Sequence, residues 1–408
     1  MPSATQQRPR RVRTDTRHLR VVRDGERSRG RGPRAVESMA PAARRDRTVT
    51  VLLLSTAALT LLGLVMVLSA SSVSSYARYG SSFLFFTRQV AYAAVGSVGL
   101  WVVARIPYRT WERLCVPLLG ITLILLILVL HPAAGTVAGG SARWLQVGPV
   151  TIQPSELAKL AVVAFGAALL ARRWRRLHDL RALLLPLGPV VGLVAGLILL
   201  QPDMGTALIV VAALLGLLFA AGARVKHLFV GTLGMGTLGF GLMYVEGYRW
   251  ARFTSFLDPW ADPQGSGYQT IQSIIALVGG GPFGVGLGAS RQKWLYVPNA
   301  HTDFIYAILG EELGLVGAVG VLVLFGFLVW AGVRIAMRAP DAFGRLLAAG
   351  IVGWLGVQTL VNLGAVTGLL PITGVPLPLV SFGGSSLVVT LVAIGILVSI
   401  GRTSRARP

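Results

Sequence analysis

Hydrophobic residues fall in ten long runs, at about 49–70, 83–104, 114–131, 154–171, 183–200, 204–221, 227–245, 303–333, 345–366 and 383–401. Roughly 20 residues of helix cross a 30 Å hydrocarbon core, and runs of about 18 or more apolar residues are membrane-span candidates. The pattern predicts an all-α, polytopic membrane protein built as a ten-transmembrane-helix bundle. The first run ends in Ser69-Ala70-Ser71-Ser72, as a signal-peptidase site does. Nine further runs follow it, so it reads as an ordinary span.

Most connections are short. The exception is 246–302, 57 residues between the seventh and eighth spans, which carries Trp250, Phe253, Phe256, Trp260, Tyr268 and Phe283 among glycines and prolines. Loops of this length are usually functional or disordered, and this one is too apolar for a solvated linker. It predicts partial helices that lie at the interface or re-enter the bundle, where irregular backbone is tolerated if protein buries it. Residues 131–153 read as a second segment of the same kind.

Charge orients the bundle. Only 13% of the 408 residues are charged, about half the usual share for a soluble chain. Connections 105–113, 172–182, 222–226 and 334–345 hold most of the loop cations, among them Arg105, Arg109, Arg113, Arg172, Arg173, Arg175, Arg176, Arg181, Arg224, Lys226, Arg334, Arg338 and Arg345. The alternate short connections hold Arg78, Arg143 or none. By the positive-inside rule both termini are cytosolic, and the long loop is extracytoplasmic. Residues 1–48 hold fourteen arginines against five acids, within a net charge of +22 for the chain. That composition cannot offset its ordering entropy. It is read as a disordered cytosolic arm that fixes topology, with no nucleic acid expected. The division is therefore 1–48 arm, 49–401 transmembrane domain and 402–408 cytosolic tail.

Cys115 is the only cysteine, and the five histidines have no metal-ligand spacing. That excludes an intramolecular disulfide and argues against a structural metal. Asp303 stands at the mouth of the eighth span, where a carboxylate is either a helix cap or a functional group. Glu311 and Glu312 lie deeper in the same span; adjacent residues project about 100° apart, so they are not expected to serve one site. Gln153-Pro154-Ser155-Glu156 opens the fourth span, with Glu156 and Lys159 three apart on one face. Arg143, Lys159, Arg249, Arg252, Arg291 and Lys293 place cations on the external side, where the bias is against them, and suggest an anionic ligand. Gly279-Gly280-Gly281-Pro282-Phe283-Gly284 matches a dinucleotide fingerprint literally but has no βαβ context. Ser381-Phe382-Gly383-Gly384-Ser385-Ser386 lacks a nucleophile elbow and reads as close packing or backbone approach to a ligand.

Together these stretches resemble the SEDS family (shape, elongation, division and sporulation) of ten-helix peptidoglycan polymerases. The resemblance rests on Arg143-Trp144, PSELAK at 154–159, QPDMGTA at 201–207, SFLDPWADPQGSGYQ at 255–269, AHTDFIYAILGEELG at 300–314 and PITGVPLPLVSFGGSS at 371–386. The segments run in family order, and the loop and GEELG run look like the division-type, FtsW-like branch more than the RodA-like one. Asn299 and Phe382 depart from the family's usual glutamate and tyrosine.

The resemblance implies polymerisation of lipid II at the outer face of a bacterial plasma membrane during septal division, with undecaprenyl pyrophosphate as leaving group. It also implies Asp303 as the catalytic carboxylate, and a class B penicillin-binding protein, with other divisome proteins, as partners. Arg143, Lys159, Glu156, Arg252, Lys293, His301 and Ser385 are the candidate pyrophosphate or substrate contacts. A divalent cation (Mg2+ or Mn2+) bridging the pyrophosphate is compatible with them, although no ligand cluster demands one. Two other readings stay open: a lipid II flippase or other transporter, and a non-enzymatic divisome scaffold.

Overall fold

The computed structural model describes residues 47–132, 135–138, 141–148, 150–173, 180–245 and 247–404. The predicted arm, apart from Arg47 and Thr48, lies outside them, as do Arg175, Arg176, Arg405 and Arg407. In hydrocarbon a backbone must satisfy its own hydrogen bonds, so apolar runs of this length fold as helices. In chain order these are α1 Arg47–Tyr79, α2 Leu84–Val103, α3 Thr110–Leu130, α4 Pro154–Arg172, α5 Leu180–Leu199, α6 Met204–Ala220, α7 Val225–Val245, α8 Gly247–Leu257, α9 Tyr268–Gly279, α10 Ile305–Arg338, α11 Ala342–Val366 and α12 Gly384–Thr403. Each of the ten predicted runs coincides with one of them, and α8 and α9 are the partial helices of the long loop. Among the described residues α1, α3, α4, α10, α11 and α12 are long and apolar enough to cross a membrane, which makes this a multi-pass helical membrane protein.

Burial separates centre from rim. The apolar windows of α4 and α12 are 78% buried, against 28% in α3 and α10. The buried core accordingly runs through α4, α6, α11 and α12, and α3 and α10 turn Ile121, Ile124, Leu322 and Phe327 outward.

One expectation needs correction. Residues 131–153 contain not partial helices but an antiparallel sheet, β1 Gly135–Ala138, β2 Ser141–Val147 and β3 Val150–Ile152, in that order. The chain is therefore mostly helical but not all-α. Leu145 is buried while its neighbour Gln146 is exposed, the two-residue period of a half-buried strand. Gly148, at φ +60°, turns β2 into β3. The sheet supplies Arg143 and leads into α4.

The long loop re-enters at a break in α10. Gly314 sits at φ 68°, ψ −165°, a region open essentially to glycine alone. The broken helix leaves backbone groups that the loop satisfies: Val285 and Gly286 N–H donate to the carbonyls of Glu311 and Glu312 at 3.0 and 3.1 Å. In return Leu315 and Val316 N–H donate to the carbonyls of Gly281 and Pro282 at 2.9 and 3.1 Å. The glycine-rich stretch that mimics a dinucleotide fingerprint is thus the plug of this break. A Cβ at Gly314 would lie 2.6 Å from the Pro282 carbonyl oxygen and press on Gly284. Gly314→Ala is expected to cost at least about 1–3 kcal/mol from backbone strain alone, visible as a lowered melting temperature and loss of monodispersity. Gly320→Ala, in open space on the same helix, is the control and should melt with wild type.

The side chains beside the break also differ from expectation. Glu311 accepts the Ser290 hydroxyl and the Arg291 and Gln292 amides, the latter two at 2.9 and 3.3 Å. Glu312 accepts the Ser69 hydroxyl of α1 and the Ser290 amide at 3.4 Å, and pairs with the Lys293 ammonium at 3.6 Å. The two adjacent glutamates therefore do share one target. The loop wraps the helix, so Ser290 meets one carboxylate with its hydroxyl and the other with its amide.

Candidate functional site

Asp303 lies in the last turn before α10, ahead of the buried Phe304 and Ile305. Its side chain keeps partial access to solvent, while the loop between α11 and α12 closes over it. Gly374, at φ +71°, is the point of approach: a Cβ there would stand 3.6 Å from Asp303 Oδ2. The start of α6 comes in beneath the same loop. A Cβ on Gly205 would lie 2.6 Å from Val375 Cγ2 and abut the Thr373 carbonyl, so only glycine allows the two backbones this close.

Asp203 caps α6, accepting the Thr206 amide at 3.2 Å, as a helix N-terminus favours. It also accepts Gln153 Nε2 at 3.3 Å and Ser155 Oγ at 3.4 Å from the entry to α4. Arg143 from β2 donates through Nε to the Gln201 carbonyl at 3.0 Å and through Nη2 to the Pro202 carbonyl. These groups set the charge of Asp303. Burial, the largest effect, pushes its carboxyl up to about 6; Arg252 and Arg143 pull it down, and Asp203 pushes it up. The arrangement is a carboxylate that can take a proton near neutral pH, with the charges of Arg252 and Arg143 favouring its ionised form.

Five of the predicted contacts, Lys159, Glu156, Lys293, His301 and Ser385, are placed differently. Lys159 is 1% exposed; its ammonium pairs with Glu156 at 2.8 Å, donates to Gln358 Oε1 at 2.8 Å and lies 5.2 Å above the Trp354 ring. Glu156 does orient Lys159, but the charge is enclosed by protein. Lys293 is likewise consumed inside, by Glu312 and the Gly288 carbonyl. His301 stacks on Phe85 at 4.8 Å between ring centroids, with Phe382 at 5.7 Å. Burial and the charge of Arg78 push it down to about 4, so at neutral pH it is no cation for a pyrophosphate. The Ser385 hydroxyl accepts the Gln153 amide at 3.0 Å and donates to the Thr151 carbonyl at 3.3 Å, tying α12 to β3 and the start of α4. Arg143 and Arg252 are the predicted contacts whose charge acts on Asp303.

Asp203 is a site residue that the sequence does not single out. The available signal was an acid in the three-residue connection 201–203, directly before a run that begins Met204-Gly205-Thr206. Asn362 and Gln358, polar residues in an apolar span, were also passed over. Among the described residues no group of three His, Cys, Asp or Glu could hold a metal ion; Asp203 and Asp303 together fall short of a resident site.

A helical membrane protein whose site is assembled from loops at one end of the bundle is the class that these features define. The chain belongs to the family of cell cycle proteins typified by FtsW, RodA and SpoVE, which matches residues 49–406. It is 44% identical over 359 residues to stage V sporulation protein E of Bacillus subtilis (strain 168), covering 88% of this chain and 96% of that one. It is 42% identical over 359 residues to "Probable peptidoglycan glycosyltransferase FtsW" of Geobacter sp. (strain M18), covering 87% and 97%. Among solved structures it is similar to a chain described under "Structural coordination of polymerization and crosslinking by a peptidoglycan synthase complex", with TM-score 0.72, 33% identity and coverage of 87% and 97%. It is also similar to the rod shape determining protein RodA of Thermus thermophilus, with TM-score 0.65, 30% identity and coverage of 87% and 96%.

Proposed function

We propose that this chain is a peptidoglycan glycosyltransferase of the division type, polymerising lipid II at the outer face of the plasma membrane. The observation that carries the mechanism is Asp303, a carboxyl at the mouth of α10 under the Gly374 loop, which burial raises to about 6 against the lowering charges of Arg252 and Arg143. In this reading Asp303 takes the proton from the acceptor sugar hydroxyl as its oxygen attacks the donor anomeric carbon. The bond from that carbon to the pyrophosphate oxygen breaks, and undecaprenyl pyrophosphate leaves as an anion. Hydrolytic glycosidases use a second carboxyl to protonate a poor leaving group; a pyrophosphate needs only compensating charge, which Arg143 and Arg252 are placed to give. Asp203 anchors the α6 end of the site and, as a neighbouring negative charge, keeps Asp303 basic.

The ten helices that match the predicted runs span the membrane in this reading, with both termini cytosolic, which puts Asp303 outside. The partner is a class B penicillin-binding protein at the division septum, a reading supported by the similarity to a chain of a peptidoglycan synthase complex that coordinates polymerization and crosslinking. A divalent cation enters as a companion of the pyrophosphate rather than as a resident ion, because among the described residues no group of three His, Cys, Asp or Glu could hold one.

The test is polymerisation of labelled lipid II by the purified protein, alone and with its penicillin-binding partner carrying an inactive transpeptidase serine and no transglycosylase domain. Glycan ladders support the enzyme; their absence with the partner bound shifts the assignment to transport or scaffolding. Two further outcomes are expected in the same assay. A general base is active when deprotonated, so kcat should level off above about pH 7 and fall about tenfold per unit below about 6. Chelation by EDTA should slow polymerisation and leave the melting temperature of the substrate-free protein unchanged.

A further inference from the structure

The segment that carries Asp303 is a short turn in which the Thr302 and Phe304 amides donate to the Asn299 carbonyl at 3.0 and 3.5 Å. Asn299 begins it at φ +55°, and Phe304 starts α10 with no side-chain cap. The segment's remaining restraints come from outside and act on three consecutive peptide carbonyls. The His301 carbonyl accepts the Phe382 amide at 2.9 Å. The Thr302 carbonyl accepts the Ser381 hydroxyl at 2.6 Å, and the Asp303 carbonyl accepts the Asn362 side-chain amide at 2.8 Å.

The donors are themselves fixed. Asn362, 2% exposed near the end of α11, uses the same amide group to hold the Val375 carbonyl at 2.8 Å. One side chain thus links the backbone of Asp303 to the strip, Thr373 to Val375, that covers its carboxyl. Ser381 accepts the Leu377 amide at 2.9 Å. Gln89 of α2, 1% exposed, braces the turn from behind, donating to the Ser381 carbonyl at 3.1 Å and accepting the Gly383 amide at 3.3 Å.

We propose that Asn362 and Ser381 are positioning residues: together they clamp the peptide carbonyls of Thr302 and Asp303 and so set the place and the cover of the catalytic carboxylate. The proposal rests on the glycosyltransferase reading above. A misplacement of about 1 Å at a reacting group can cost about 10²-fold in rate, and the clamp is where such a displacement is resisted. The charged groups acting on Asp303 are Arg252, Asp203 and Arg143. Asp203 and Arg143 bond to groups other than Asn362 and Ser381, and neither substitution removes a charge, so a change in proton affinity would report the loss of cover.

The test uses Asn362→Ala and Ser381→Ala in complex with the penicillin-binding partner. Lipid II polymerisation is measured against pH, and hydrogen–deuterium exchange is followed along the chain. Expected are a fall of about 10–100-fold in kcat with KM within about threefold, and an acid limb displaced below about 6. Amides 302–304 should exchange faster while those of α4 and α12 stay as in wild type. Unchanged kcat in both variants, with or without faster exchange, overturns the proposal. So does a loss of activity that comes with faster exchange throughout the bundle, which would make both residues merely structural. A wild-type complex that forms no glycan removes the enzymatic reading instead, and exchange at 302–304 then still shows whether the clamp exists.

Discussion

Asp303→Asn abolishes glycan ladders, lowering kcat by at least about 10²–10⁴-fold, the contribution of a positioned general base, while the protein stays monodisperse. Asparagine keeps the shape of the side chain and removes only its proton affinity. The sign of the stability effect follows from the carboxyl being raised to about 6 from the ordinary aspartate value of 3.8. A raised value means that the ionised form is less favourable folded than unfolded above pH 6. Removing that charge therefore relieves the fold, and the variant should melt at or slightly above the wild-type temperature near pH 7.5. Activity lost at unchanged or higher stability is the signature of a group kept for chemistry. Ladders of normal yield from the variant would remove Asp303 as the base and turn attention to Asp203, the carboxylate whose charge acts on it.

Much of this arrangement is legible in the order of residues, for a physical reason. A membrane span must be apolar over its whole length, so the ten runs stand out without knowledge of their packing. The place of Asp303 follows equally simply, because a carboxylate at the mouth of a span demands explanation. What the pattern could not show is which polar groups meet. Arg143, Lys159, Arg252 and Lys293 look alike as cations near one end of the bundle. Their fates depend on partners far away in sequence: Gln358 and Trp354 close over Lys159, and Glu312 of α10 takes Lys293.

Local geometry misled in two further places. The angle of about 100° between neighbouring helical residues separates Glu311 from Glu312 on an isolated helix. A loop that wraps the helix at its break reunites them on Ser290. The stretch 131–153 reads as a second segment like the long loop, whereas the alternation about Leu145 and the glycine turn at 148 specify a hairpin. Asn362 shows the limit most plainly. In sequence it is one amide in an apolar run, and its importance lies in two carbonyls, at 303 and 375, that only the fold brings to it.

The enclosed pair Glu156–Lys159 provides the second large effect. Both side chains are 1% exposed, so breaking the pair from one side strands a charge in the bundle. Lys159→Met is expected to destabilise the protein by about 3–5 kcal/mol, because Glu156 is left buried and uncompensated. Glu156→Gln should cost a similar amount for the converse reason, with Gln358 and the Trp354 ring retaining the ammonium only in part. The double variant, with both charges gone and similar volume kept, should recover most of that loss, since replacing a buried ion pair by neutral groups is often neutral or stabilising. Melting of the four proteins gives a coupling energy directly. The same four proteins separate structure from chemistry at this position. Recovered stability with recovered ladders confines Lys159 to holding α4 against α11. Recovered stability without ladders returns its charge to the site, which would require the enclosure by Gln358 and Trp354 to open when lipid pyrophosphate binds.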